Sequence, residues 1–305
     1  MTNQELLEQA LHSGAIIHQP HALKAYLSAN YLAECLGKGD AILSHTSKLM
    51  VNDSIHVLPI YVESVQAPQL PESRIHRMLE RGIYPASYQA IFQWYQRKGF
   101  QDIFVYFSNK ASLNNEYLSH NVTILLAMNS VCKRLSESQI PTFLNRFTEF
   151  VTSTFSNANE NQPKQVKVAV TDVLASCIEQ FGFFGHNLIT LAWLLRCKEE
   201  LSDPQYEAML SNLYLQANSP LEDPDDTTDL SIWAQCESQP SREAFVLRVD
   251  NLIFDYTSNL HQITLADALC FLQTEFPDKT EELSKILQYQ CLVLKNETKK
   301  LDNGC

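Results

Sequence analysis

The stretch FFGHNLITLAWLLR, residues 183–196, carries apolar residues at helical spacing but opens on a histidine and an asparagine. A helix built only to pack gains more from leucine at those two places. Two further segments repeat the phrase, LSHNVTILLAM at 118–128 and NLHQITLADAL at 259–269. In each, His120, His186 or His261 is followed by an amide residue, then branched aliphatics, with a threonine three or four positions on. A fourth histidine, His21, opens HALKAYLSANYLA after Pro20, with His18 three residues before it. Independent packing needs do not repeat their flanking residues, so these helix starts are read as a set.

The chemistry that suits such a set is metal binding. Imidazole is the commonest transition-metal ligand, and helices of a bundle aim side chains from distant parts of a chain at one interior point. His21, His120, His186 and His261 are therefore the candidate metal ligands. Against this stands a plain alternative, in which each histidine hydrogen-bonds a carbonyl at its own helix start. His12, His45, His56 and His76 lack the phrase and read as surface or structural residues. Trp193 and the run Phe92, Trp94, Tyr95 read as core aromatics, and Asp172 with Glu179 as a solvated helix face.

Outward from these phrases the pattern is helical almost throughout. Thr2 with Glu5 spells a capping box. Pro20 to Gly37, Pro71 to Gly82 and Pro85 to Gly99 each place proline at a helix start and glycine at its stop. Apolar residues at three- and four-residue intervals predict further helices over 111–136, 138–155, 166–182, 186–201, 203–217, 241–259, 262–275 and 278–297. SIHVLPIYVESV at 54–65 is the best strand candidate, and Pro59 confines it to an edge or an extended connection. The expectation is an all-α, multi-helix single-core domain of about a dozen helices over 1–305, with 1–110 and 111–305 as a division left open. SNANENQPKQ at 156–165 and the acidic SPLEDPDDTTDLS at 219–231 read as exposed loops.

Composition removes whole classes of function. A net charge of −12 speaks against nucleic acid and anionic membranes, which are bound through clustered Lys and Arg. The start MTNQELLEQALHSG lacks the regions of a signal peptide, and no apolar run approaches the length of a membrane span, so the expectation is a cytoplasmic chain. The eight cysteines include no CxxC pair and read as free thiols. The fingerprints G-x-G-x-x-G, G-x-x-x-x-G-K-[ST], G-x-S-x-G and H-E-x-x-H are missing.

On the same residues the chain resembles the questin oxidase-like family. GHNLITLAWLLR followed by QYEAMLSNL is similar to that family's middle motif, H-x-x-I-R-x-x-H-A-x-R, with Ala192 or Trp193 in place of the second histidine. FVLRVDNLIFDYTSNLHQITLADALCFL is similar to its last motif, V-H-x-V-T-x-x-x-A-L. Its opening motif resembles either IHQPHALKAYLSANYLAECLG or LSHNVTILLAM. The resemblance implies helical oxygenases acting on polyketide aromatics such as anthraquinones, with non-haem iron held by several histidines and a modified lysine. His186 and His261 match the motifs best, His120 and His21 next, His18 least. No lysine lies between Lys198 and His261 to supply the remaining ligand.

The leading expectation is thus an iron-dependent oxygenase acting on a hydrophobic, aromatic small molecule. An interaction scaffold with the histidines spread along a helical array, and a metal-free ligand binder with histidine as a base, remain open. The distances among the four histidines separate the scaffold from the other two.

Overall fold

The computed structural model describes residues 1–15, 20–60, 68–114, 116–156 and 164–303, without the side chains of 225 and 298–303. His18 lies outside the described residues. The fold is all-α: fourteen helices are present among the described residues, with one two-stranded ribbon.

Local sequence signals account for many of the boundaries. In α1 (Asn3–Leu11) the Thr2 hydroxyl accepts from the Glu5 amide, and the Glu5 carboxylate accepts from the Thr2 amide. Helix α2 (Ala22–Leu36) ends on Gly37, whose φ of 67° is the left-handed turn that favours glycine. Its successor α3 (Gly39–Asp53) was not expected from the sequence. The segment begins with glycine and carries a polar run, so its apolar stripe is thin; Ile42, Leu43, Leu49 and Met50 nevertheless bury it. Strand β2 (Ser54–His56) pairs antiparallel with β1 (Ser13–Ala15), Gly14 opposite Ile55; it takes up the first three residues of the 54–65 strand candidate, of which 61–65 lie outside the described residues.

After α4 (Glu72–Glu80), α5 (Ala86–Leu113) continues past Gly99. That glycine, at φ 75° and ψ 174°, interrupts the helical path without ending the element. The helix expected over 111–136 is in fact two pieces. The first is the end of α5; the second is α6 (His120–Cys132), entered through a 3-10 turn at Tyr117–Ser119. There follow α7 (Ile140–Thr154), α8 (Val170–Glu179), α9 (His186–Arg196), α10 (Asp203–Ala217), α11 (Leu230–Trp233), α12 (Arg242–Phe254), α13 (His261–Glu275) and α14 (Thr280–Asn303). The acidic stretch 219–231 is mostly a turn, and Asp229 caps α11 through the amides of Ser231 and Ile232. Among the described residues no helix is long and apolar enough to cross a membrane.

Four of these helices form the centre. Helix α2 packs on α6 and α13, and α9 packs on the same two, closing a ring. Their order along the ring is α2, α6, α9, α13. The remaining helices return the chain between them, so that all four ring helices start at one end of the ring. One apolar cluster surrounds them and draws on residues from Leu6 to Leu294. Below the shared starts, α2, α9 and α13 are tied by a buried ion pair. Asp267 accepts from both Arg196 terminal nitrogens, at 2.9 and 2.8 Å, and from the Ser28 hydroxyl at 2.8 Å. The Arg196 guanidinium lies 4.0 Å from the Tyr31 ring centroid and 4.7 Å from that of Phe271.

Candidate metal centre

The repeated phrase is a turn-and-helix unit, and its residues have distinct tasks. Before His120, Leu118 and Ser119 adopt left-handed φ values of 65° and 53°. Before His186, Phe184 and Gly185 do the same at 47° and 74°. These backbone conformations cost of order 1 kcal/mol or more for a residue with a side chain, so the turns must be held from outside. The asparagine after each histidine holds them. Asn121 Nδ2 donates to the Asn114 carbonyl at 3.0 Å, and Asn187 Nδ2 to the Gln180 carbonyl at 2.6 Å, each reaching back seven residues. Gln262 does the equivalent work at the third site, donating to the Leu252 and Tyr256 carbonyls and accepting from the amides of Ser258 and Asn259. Threonine closes two of the phrases, Thr190 and Thr264 donating to the carbonyls of His186 and His261. Gly185 has a further reason to be glycine: a Cβ there would sit 2.5 Å from Leu265 Cδ1 on α13. The amide residues are thus structural, and they aim the histidines.

All four histidines meet. Ring centroids are 4.9 Å apart for His21 and His120, 4.6 Å for His21 and His261, 5.0 Å for His120 and His186, and 4.9 Å for His186 and His261. One nitrogen from each of His21, His120 and His261 lies within 4.8 Å of the other two, and His120 Nε2 is 3.1 Å from His186 Nε2. A scaffold with histidines spread along an array calls for separations of tens of ångströms, which these are not.

The hydrogen bonds leave nitrogen lone pairs pointing inward. His186 Nδ1 donates to the Phe183 carbonyl and His261 Nδ1 to Asn259 Oδ1, the latter at 3.0 Å, so Nε2 of each ring is the unprotonated atom. Metal-binding histidines are held the same way, by a carbonyl or carboxylate on the far nitrogen. His21 Nδ1 and His261 Nε2 are buried with no hydrogen-bond partner. A third such atom is Lys24 Nζ, one turn into α2, on a side chain only 1% exposed. Sequence reasoning sought a lysine between Lys198 and His261 and missed Lys24, which it saw only as part of a helical phrase. Its one signal was position, three residues after His21.

Electrostatics favour neutral groups. Burial, then the Lys24 charge, push His186 down from 6.5 to about 3. Burial first, then neighbouring cationic groups, also hold His21 and His261 well below 6.5. Burial alone brings Lys24 down to about 7. Four helix N-termini add their positive dipole ends to the same point, which further opposes protonated imidazole and favours an anionic group.

A pH prediction follows from His186. Its folded pKa lies below its unfolded one, so acidification loads the unfolded chain with a proton first and stability falls as pH drops below 6.5. Between pH 7 and pH 5, metal-free wild-type protein is expected to lose about 2 kcal/mol more stability than His186→Leu. Urea denaturation in the presence of a chelator reads this difference; equal losses would show that His186 is not a buried neutral imidazole.

Above the histidines lies a cavity of about 410 Å³. Leu118, Phe183 and Leu260 give it apolar wall, while Asn52, Asp53 and Asn259 bring hydrogen-bonding groups. Burial pushes the Asp53 carboxyl above its usual range, and Asp53 accepts from the Leu260 amide at 2.6 Å, just ahead of His261.

The other sequence candidates are elsewhere. His12 and His56 stack on each other across the ribbon, His45 packs on Phe254, and His76 on Trp94 and Tyr106. Ala192 and Trp193, where the family motif has a second histidine, are buried in the core. No family model, no curated protein and no solved structure matches the chain.

Proposed function

We propose that this chain is a metal-dependent oxygenase that uses non-haem iron on a hydrophobic, aromatic small molecule. The observation that carries the reading is the convergence of four helix-start histidines on one point beneath a cavity: His21 and His261 each have a bare buried ring nitrogen, and Nδ1 of His186 and of His261 is tied to an oxygen acceptor. The resemblance to the questin oxidase-like family points the same way, and Lys24 takes the place of the lysine that it calls for.

The donor set fits a transition metal. Neutral imidazoles and a lysine that burial has brought near neutrality are the forms that can coordinate. His21, His120, His186 and His261 would hold the ion, with Lys24 beside them. Iron there supplies the redox chemistry that lets dioxygen react with an organic substrate.

The chain's own residues do the rest. Leu118, Phe183 and Leu260 exclude water and favour an apolar ring system. Asn52, Asp53 and Asn259 can orient its polar substituents. The joined helix N-termini stabilise negative charge, so a substrate bearing an acidic hydroxyl is favoured over a neutral hydrocarbon.

The test is metal content. Protein purified without oxygen after iron supplementation should carry about one equivalent of iron by mass spectrometry. His186→Ala and His261→Ala, checked for folding by circular dichroism, should each lose most of it. Less than about a tenth of an equivalent in wild type, unchanged in the variants, would overturn the proposal.

A further inference from the structure

The 3-10 turn that opens α9 sets two phenylalanines beside the histidines, and the two stand differently. Phe183 is stacked on His186, ring centroids 5.7 Å apart at an interplanar angle of 22°, and meets His261 edge-on at 5.7 Å. Phe184 packs on His261 at 5.6 Å. The exposures separate them: Phe184 is 7% exposed and joins the apolar core, whereas Phe183 is 39% exposed and lines the cavity. The Phe183 carbonyl accepts from His186 Nδ1, so the backbone that carries this ring is tied to a candidate ligand.

Packing alone does not call for this ring. A phenylalanine with more than a third of its surface open recovers only part of the burial energy of a core ring. Apart from the four imidazoles, Phe183 is the one aromatic ring in the cavity wall among the described residues. Leu118 and Leu260 present aliphatic chains with no π system to add to, and the remaining wall is small or polar. An oxidant formed at the histidines while the cavity is empty therefore has one aromatic carbocycle before it, the same kind of group that the proposed substrate brings.

We propose that Phe183 is a modification site, its ring hydroxylated by dioxygen activated at the histidines when no substrate fills the cavity. The inference rests on the oxygenase reading and adds to it the group that is oxidised in the substrate's absence. One oxygen atom of O2 enters a ring C–H bond and leaves a phenol; the O–O bond breaks, and the other atom takes up two protons and departs as water. O2 gains four electrons in this step. The ring supplies two of them and an added reductant, ascorbate, the other two. Phe184, shut into the core one residue away, is the internal control.

The experiment exposes iron(II)-loaded full-length protein to oxygen and ascorbate without substrate, with catalase present to remove peroxide released to solution. Intact mass should rise by about 16 Da, or by about 18 Da under oxygen-18 gas, and peptide sequencing by mass spectrometry should place the gain on residue 183. Phe183→Leu keeps the backbone carbonyl on His186 Nδ1, so it should hold iron yet show no gain in that peptide. His186→Ala should lose the iron and the modification together. Iron content measured on the same samples separates the two ways to fail. Wild type that takes up no iron and gains no mass sinks the oxygenase reading and this inference with it. Wild type that holds iron and consumes oxygen with residue 183 unchanged, or that carries the added oxygen on Phe184 or on the histidines instead, overturns this inference alone.

Discussion

Lys24→Met should stabilise the metal-free protein by up to about 5 kcal/mol at pH 7 while weakening its hold on iron. The argument starts from a buried ammonium with nothing to bond: Lys24 Nζ has no hydrogen-bond partner, and burial lowers its pKa from 10.5 to about 7. Such a fall corresponds to about 5 kcal/mol. Because the folded pKa lies below the unfolded one, the cost accumulates as pH falls from 10.5 to about 7 and stays constant below that. Methionine keeps the length and apolar stem but carries no charge, so it removes the cost. It also relieves His21, His186 and His261 of the cationic neighbour that opposes their protonation. A lysine retained against that gradient has a use, and the proposed one is at the metal. Urea denaturation with chelator, and again with iron(II), separates the two effects. A variant less stable than wild type in chelator would show that Lys24 is paired in solution, and unchanged iron affinity would remove it from the metal site.

The same residue marks where sequence reasoning stopped. Capping chemistry is local, so the Thr2–Glu5 box, the Gly37 stop and the helix starts at His186 and His261 could be read from neighbours alone, whereas the boundary at His120 fell inside a single expected helix over 111–136. The repeated phrase also carried the site, because three turns of one kind need the same amide anchors; Asn121, Asn187 and Gln262 are those anchors. Lys24 had no comparable signal. A lysine in ALKAYLSAN ordinarily reaches along its stem to water, and only the closure of α6, α9 and α13 over it shows that it cannot. Left-handed Leu118, Ser119 and Phe184 were illegible for a related reason. Residue type predicts such a φ for glycine, whereas here the surrounding hydrogen bonds impose it. Helix α3 was lost because its apolar stripe is thin, and Gly99 misled because a glycine marks a break in direction as readily as an end.

Asp267→Ala should cost about 3–5 kcal/mol and should scatter the histidines as well as loosen the fold. Asp267 is 3% exposed and answers three donors, two from Arg196 on α9 and one from Ser28 on α2, while itself belonging to α13. Burial raises its carboxyl and the Arg196 charge draws it back down, so the ionised form survives only because the guanidinium is there. Alanine leaves that guanidinium unpaired among Tyr31, Trp193 and Phe271. The aromatic faces offset part of the lost charge pairing, but each is worth about 0.5–2 kcal/mol, less than the desolvation of a lone cation. The double change Asp267→Leu with Arg196→Met removes both charges at once and should recover most of the stability, since an apolar pair of similar volume commonly equals a buried ion pair. Stability and iron content should then part company. The bidentate pair fixes how α2, α9 and α13 sit beside one another, and a greasy contact fixes it less sharply, so the double variant should fold well yet bind iron more weakly than wild type. Denaturation midpoints and iron stoichiometry on the four members of the cycle decide it. A single variant costing under about 1 kcal/mol would mean that water already reaches Arg196, and a double variant with full iron content would mean that the histidines are placed by their own turns alone.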